Sequence, residues 1–218
     1  MTLDTVPTAA AAGLGLAGLV AGALIARVRL APGDSVDVPP RAARLPMLAL
    51  GGAVLGVWSG LGQPSTAAAI LTALFGWQLL LIALVDAEHF WLPDRLTFPL
   101  AATGLIAAAL LEEHRLVDAV IGATAGFAAL WALAVAYRRL RGREGLGGGD
   151  PFLLGAIGAW VGWEGLPAVL LWAGLAGLSV VAGRAAGGRP LSAADRLPFG
   201  VLLAIGGWLT WSLGPLSG

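Results

Sequence analysis

Asp86 follows Leu84-Val85 at the end of one long apolar run, and Asp150 precedes Pro151-Phe152-Leu153-Leu154 at the start of another. A charge at bilayer depth costs about 2.5 to 3.5 kcal/mol on insertion scales, so a carboxylate against such a run needs a reason. Two carboxylates a few Å apart do not both ionise easily; one keeps a proton while the other stays charged. The charged member can take a proton from water as it attacks a peptide carbonyl, and its protonated partner polarises that carbonyl. Each residue also has a structural reading. Asp150 before Pro151 fits a helix N-cap with proline at the first helical position, and Asp86 fits an interfacial residue closing its helix.

The elements that would carry these residues follow from composition. The 218-residue chain is 58% hydrophobic and 12% charged, against about 25% charge in average soluble proteins. Its mean hydropathy is +0.84. With 13 basic residues balancing 13 acidic ones, it lacks the basic patch of a nucleic-acid binder. The absence of cysteine excludes a disulfide framework, a thiolate nucleophile and a cysteine-based zinc or iron–sulfur site, and two histidines do not suit a histidine-rich metal site. No metal and no organic cofactor is expected. The solvent these residues fit is a bilayer.

A hydrocarbon core about 30 Å thick needs roughly 20 apolar residues per helix. Eight spans are predicted: Thr8–Ala26, Leu45–Leu61, Ala67–Val85, Thr97–Leu111, Leu116–Tyr137, Phe152–Trp163, Leu166–Ala182 and Phe199–Leu213. The sixth is short and must extend, tilt or enter only partway. The expected fold is therefore an all-α polytopic membrane helix bundle of about eight transmembrane helices. Residues before Pro7 include an Asp and no Arg or Lys, the wrong flank for a cleaved secretory signal, so the first span is read as a membrane helix. The loops after the first, third, fifth and seventh spans hold every Arg except Arg115, and the positive-inside rule makes them cytoplasmic with both termini outside.

Glycines at intervals of four (Gly18 and Gly22; Gly52, Gly56 and Gly60; Gly158 and Gly162) place small residues on one helical face for close packing. Glu88-His89 is not the His-Glu-x-x-His of a zinc protease, and Ser59 lies in Val57-Trp58-Ser59-Gly60 rather than in a G-x-S-G. The clustered Arg138, Arg139, Arg141 and Arg143 suit topology and contact with anionic lipid.

Asp86 opens Asp86-Ala87-Glu88-His89-Phe90-Trp91-Leu92-Pro93-Asp94-Arg95-Leu96-Thr97, and Asp150 closes Glu144-Gly145-Leu146-Gly147-Gly148-Gly149-Asp150. These segments resemble the two signatures of the bacterial prepilin peptidases, membrane aspartyl proteases of the G-x-G-D type. The run Leu153 to Trp163 is similar to the family's helix after the second Asp, and Leu197-Pro198-Phe199-Gly200 to its Pro-Phe-Gly before the last span. The resemblance covers roughly Leu45 to Leu213. It implies removal of the short basic leader from type IV prepilins or pseudopilins at the cytoplasmic face of the inner membrane, with Asp86 and Asp150 as the catalytic pair. Glu88 and Asp94 would bind the basic leader, with solvated loop acids as the alternative. The glycines of the Gly147-Gly148-Gly149 turn can adopt positive φ and would let an extended substrate approach Asp150, with an ordinary flexible loop as the alternative.

The chain also departs from the family. Residues 1–44 read as a transmembrane helix and a short linker, Ala31 to Arg44, without the Cys pairs that many members associate with methyl transfer, so none is expected; residues 45–218 read as the peptidase-like membrane domain. Phe152 stands where members often carry Lys. A small transporter, or an inactive scaffold in which the two Asp handle protons or cap helices, is the competing class. Substrate identity beyond prepilin-like leaders and oligomeric state are not legible in these residues.

Overall fold

The computed structural model describes residues 5–27, 41–111, 115–142, 147–188 and 197–214, with side chains from residue 8 in the first helix and residue 44 in the second. The described elements are α-helices: α1 (Thr5–Ile25), α2 (Arg41–Gly62), α3 (Thr66–His89), α4 (Asp94–Leu111), α5 (Arg115–Arg141), α6 (Asp150–Ala186) and α7 (Phe199–Leu213). Helices satisfy every backbone polar group internally, which a segment facing lipid requires. Large apolar side chains such as Leu16, Leu50, Leu110, Val117 and Leu178 remain exposed, as suits helices whose outer face meets hydrocarbon.

Two compact units make up the chain, residues 1–89 and 90–218. In the first, α1 and α2 run antiparallel with their backbones nearly touching. A methyl group on Gly18 would overlap the Gly52 carbonyl, one on Gly22 the Leu48 carbonyl, and one on Gly56 the Leu14 carbonyl. The spaced glycines are thus packing surfaces. Helix α3 lies against this pair, with Trp77 Nε1 donating to the Gly52 carbonyl at 3.0 Å and Leu80, Leu81 and Leu84 packed on Ile25, Ala26 and Leu48.

In the second unit α6 is the centre. Gly122 of α5 meets Gly158, and Gly126 meets Leu154; Trp160 Nε1 donates to the Leu100 carbonyl of α4 at 2.8 Å. The 37 residues of α6 are interrupted at Gly162, whose φ of 72° and ψ of 176° are not helical. Contacts with α7 show what the interruption does. Ile157 meets Gly207 and Trp160 meets Trp211, so numbering rises together along residues 150–161 and α7. Beyond Gly162 it runs the other way, with Gly165 on Thr210, Val169 and Ala173 on Gly206, and Gly177 on Leu202. The chain reverses direction at Gly162.

The count of about eight spans is not confirmed: among the described residues six helices are long and apolar enough to cross a membrane, and α7, at 15 residues, is shorter. The expected sixth and seventh spans are two limbs of one element, and the first limb is about 18 Å long at 1.5 Å per residue, too short to cross a full hydrocarbon core. Reversal still brings the start of α4 and the ends of α5 and α6 to one end of this unit. That end carries Arg95, Arg138, Arg139, Arg141 and Arg184, whereas Arg115 sits at the other end, over the Trp211 ring at 5.3 Å. Residues 28–40, 112–114, 143–146 and 189–196 fall outside the described residues, and with them most of the Ala31 to Arg44 linker and Arg143.

Candidate active site

Asp86 belongs to the first unit. The expected third span ended at Val85, but α3 continues to His89, so Asp86, Glu88 and His89 are on the last turn of a helix and not in a loop. Asp86 is buried, 5% exposed. It continues the stripe Thr72, Phe75, Leu79 and Ile82, all buried, which repeats at three- and four-residue intervals along one face of the helix. Glu88 points elsewhere, with Oε1 2.6 Å from Nη2 of Arg44 on α2. His89 is half-buried, and Phe90 ends the helix in the left-handed region with φ 49°, a C-terminal turn usually given to glycine.

Asp150 belongs to the second unit and is likewise 5% exposed. Gly149 occupies the N-cap, with Asp150 the first residue of α6 and Pro151 behind it. The expected alternative, Asp150 itself as N-cap, is therefore off by one position. Its carboxylate turns back toward the preceding turn. The Gly147 N–H donates to Oδ2 at 3.0 Å, and the Asp150 N–H donates to the Gly147 carbonyl at 3.2 Å. A negative charge at the start of α6 also suits the positive end of the helix dipole.

The glycines of this turn act differently from expectation. Gly149 has a φ of −86°, and positive φ among the described glycines falls at Gly142, Gly162, Gly188 and Gly214. What Gly149 provides is room. A Cβ there would stand 2.6 Å from the Leu92 Cβ and 2.9 Å from the Leu92 carbonyl oxygen. Leu92 is buried, so the segment ahead of α4 and the turn ahead of α6 fit together through a glycine that can have no side chain. Gly147 and Gly148 are exposed, and a Cβ on Gly148 would meet nothing within 4 Å.

Around this junction Asp94 is exposed at the first position of α4, and the buried Thr97 hydroxyl donates to the Asp94 carbonyl at 3.3 Å. Phe152 packs on Phe127 at 5.0 Å between centroids and edge-on to Phe98 at 6.3 Å. Matching Gly126 to Leu154 sets Asp150 level with about residue 130 of α5. The helix end at Arg141 then lies about 16 Å beyond Asp150 along the axis. The Asp150 carboxyl is recessed below the arginines that end α5.

Sequence reasoning missed the Leu92 contact and the Arg44 partner of Glu88. Arg44 and Glu88 were each visible as charges beside apolar runs, but their 44-residue separation carries no pairing signal. Ser59, buried, donates to the Leu55 carbonyl at 2.7 Å, the ordinary role of a helix serine. Among the described residues no group of three His, Asp or Glu side chains is placed to hold a metal ion.

The Type IV leader peptidase family matches residues 73–182. The chain is 39% identical over 170 residues to the prepilin leader peptidase/N-methyltransferase of Aeromonas hydrophila, covering 78% of this chain and 58% of that protein. It is 41% identical over 178 residues to that of Burkholderia pseudomallei (strain K96243), covering 80% and 56%. With the protein of the same name from Pseudomonas aeruginosa it shares 41% over 138 residues, 62% and 47%. The chain thus spans about half the length of the curated relatives it matches. No solved structure matches. The family match takes in Asp86, Asp150 and all the helices between them, from within α3 to near the end of α6, and the chain belongs to the Type IV leader peptidase family.

Proposed function

We propose that this multi-pass membrane protein is an aspartic endopeptidase that removes the basic leader from type IV prepilins or pseudopilins at the cytoplasmic face of the inner membrane. The observation that carries this reading is that the family match takes in two acidic residues that are each buried at the end of an apolar helix, Asp86 and Asp150. The relatives' names supply the substrate class.

In the proposed reaction the ionised member of the pair removes a proton from water as the water oxygen adds to the carbonyl carbon of the scissile bond. The protonated member donates to the carbonyl oxygen, and a proton passes to the departing amine as the C–N bond breaks. The Gly147 N–H holds one oxygen of Asp150. Exposed Gly147 and Gly148 leave room for an extended substrate backbone, with Gly149 locking the turn onto Leu92. Asp94, exposed at the start of α4, is assigned to the leader's basic side chains. An exposed charge pair is worth about 0.2 to 1 kcal/mol, so Asp94→Asn is expected to raise KM for a prepilin by about two- to fivefold and leave kcat in place. The arginines ending α5 are assigned to anionic lipid. The methyl transfer in the relatives' names is not carried to this chain.

The test is cleavage of a co-expressed prepilin, read as a shift in gel mobility. Asp86→Asn and Asp150→Asn are each expected to reduce the rate by about a thousandfold or more while the protein still accumulates in the membrane. Cleavage at the wild-type rate by either variant ends the reading.

A further inference from the structure

The proposed hydrolysis makes no use of the ion pair between Arg44 and Glu88, whose side chains are 6% and 12% exposed. Arg44 opens the apolar stretch of α2, and Glu88 lies on the last turn of α3. Leu48, one turn along α2, is buried with Ile25 and Ala26 while Leu80, Leu81 and Leu84 pack against that cluster. The pair therefore closes one end of an apolar seam. Nε of Arg44 is buried there without a hydrogen-bond partner among the described residues. Stability is a poor reason for two charges at such a place, because well-packed apolar residues often serve as well or better. A buried pair does supply one thing that leucines do not, a single register in which the charges meet.

That register bears on Asp86. Trp77, Leu80, Leu81, Leu84 and Glu88 form the face of α3 turned to α1 and α2. Asp86 is two residues from Glu88, about 200° away around the helix, on the opposite buried stripe with Phe75, Leu79 and Ile82. The hydrogen bond from Trp77 to the Gly52 carbonyl lies about three turns away, so sliding or turning the end of α3 would break the ion pair and move Asp86 directly. We propose that Arg44 and Glu88 are positioning residues, which set the height and rotation of the last turn of α3 and so the place of the Asp86 carboxyl. This assigns Glu88 to Arg44 and not to a basic leader, and it rests on Asp86 being catalytic.

The 218-residue chain, free of cysteine, allows two readouts: prepilin cleavage kinetics, and the mobility of a spin label on Ala87→Cys, an exposed position of the same turn. The double variant Arg44→Met with Glu88→Leu is expected to lower kcat by about ten- to a hundredfold with KM held within about twofold, and to loosen the label. The swap of Arg44→Glu with Glu88→Arg is expected to recover part of the loss. Wild-type kcat and an unchanged label in the apolar double variant overturn the proposal. Should that variant fail to accumulate, Glu88→Gln keeps the side chain's shape and removes its charge; a smaller fall in kcat with a loosened label supports the assignment, and wild-type values overturn it. If the wild-type chain cleaves no prepilin while the double variant loosens the label, the hydrolysis reading fails and the role of the pair in fixing the helix end stands.

Discussion

At the scale of single residues, the turn before Asp150 shows how a glycine run is divided into different tasks. Gly147 supplies an N–H to the carboxylate, Gly148 faces open space and Gly149 is pressed against Leu92. Overpacking a close contact costs about 1 to 3 kcal/mol. Gly149→Ala is therefore expected to lower the thermal unfolding midpoint in detergent and to weaken prepilin cleavage with it, because Leu92 cannot yield without moving the start of α4. Gly148→Ala is expected to leave the unfolding midpoint where it is. Equal destabilisation by both substitutions would show that the turn tolerates no side chain anywhere, and would remove the special place given to Leu92.

The elements depend on backbone approach and on one reversal. Gly162 holds φ 72° and ψ 176°, a region essentially reserved for glycine, and a side chain forced into it costs about 1 to 3 kcal/mol. Space is not the obstacle, since the nearest atom to a Cβ there is 3.6 Å away. Gly162→Ala is thus expected to destabilise the folded protein through strain alone, measurable as a lower unfolding midpoint. Gly122→Val meets a different barrier. Its side chain would overlap the Gly158 carbonyl and lie 2.7 Å from the Gly162 carbonyl carbon, so α5 would have to part from α6. Loss of accumulation in the membrane is the expected outcome, and normal accumulation would show that this seam can separate without cost.

For the whole molecule the governing force is the sorting of charge across the bilayer. The second unit gathers Arg95, Arg138, Arg139, Arg141 and Arg184 at one end, and the positive-inside rule predicts that this end faces the cytoplasm. The absence of native cysteine makes this directly measurable. A cysteine replacing exposed Gly142, just past α5, is expected to react with a membrane-impermeant maleimide only when the cytoplasmic side is opened. One replacing exposed Glu164, just past the reversal in α6, is expected to react from outside in intact cells. The opposite pattern would place Asp150 on the wrong side for a substrate with a cytoplasmic leader.

Composition and the spacing of apolar runs determined that this chain is a bundle of membrane helices, because continuous apolar runs of about 20 residues suit helices that satisfy their own backbone in lipid and not the short alternating strands of a barrel. They also marked Asp86 and Asp150, since a carboxylate beside 20 apolar residues is conspicuous by its solvation cost alone, and they marked glycine faces that do pack at Gly18, Gly52 and Gly158. The sequence also broke the apolar run between Trp163 and Leu166, but it could not show that the chain turns back there, because the reversal rests on two dihedral angles of Gly162. Nor could it show that Glu88 answers Arg44, or that Gly149 answers Leu92. Those are contacts between segments far apart along the chain, and their partners are chosen by which helix faces meet when the bundle closes, a choice that only the tertiary structure makes.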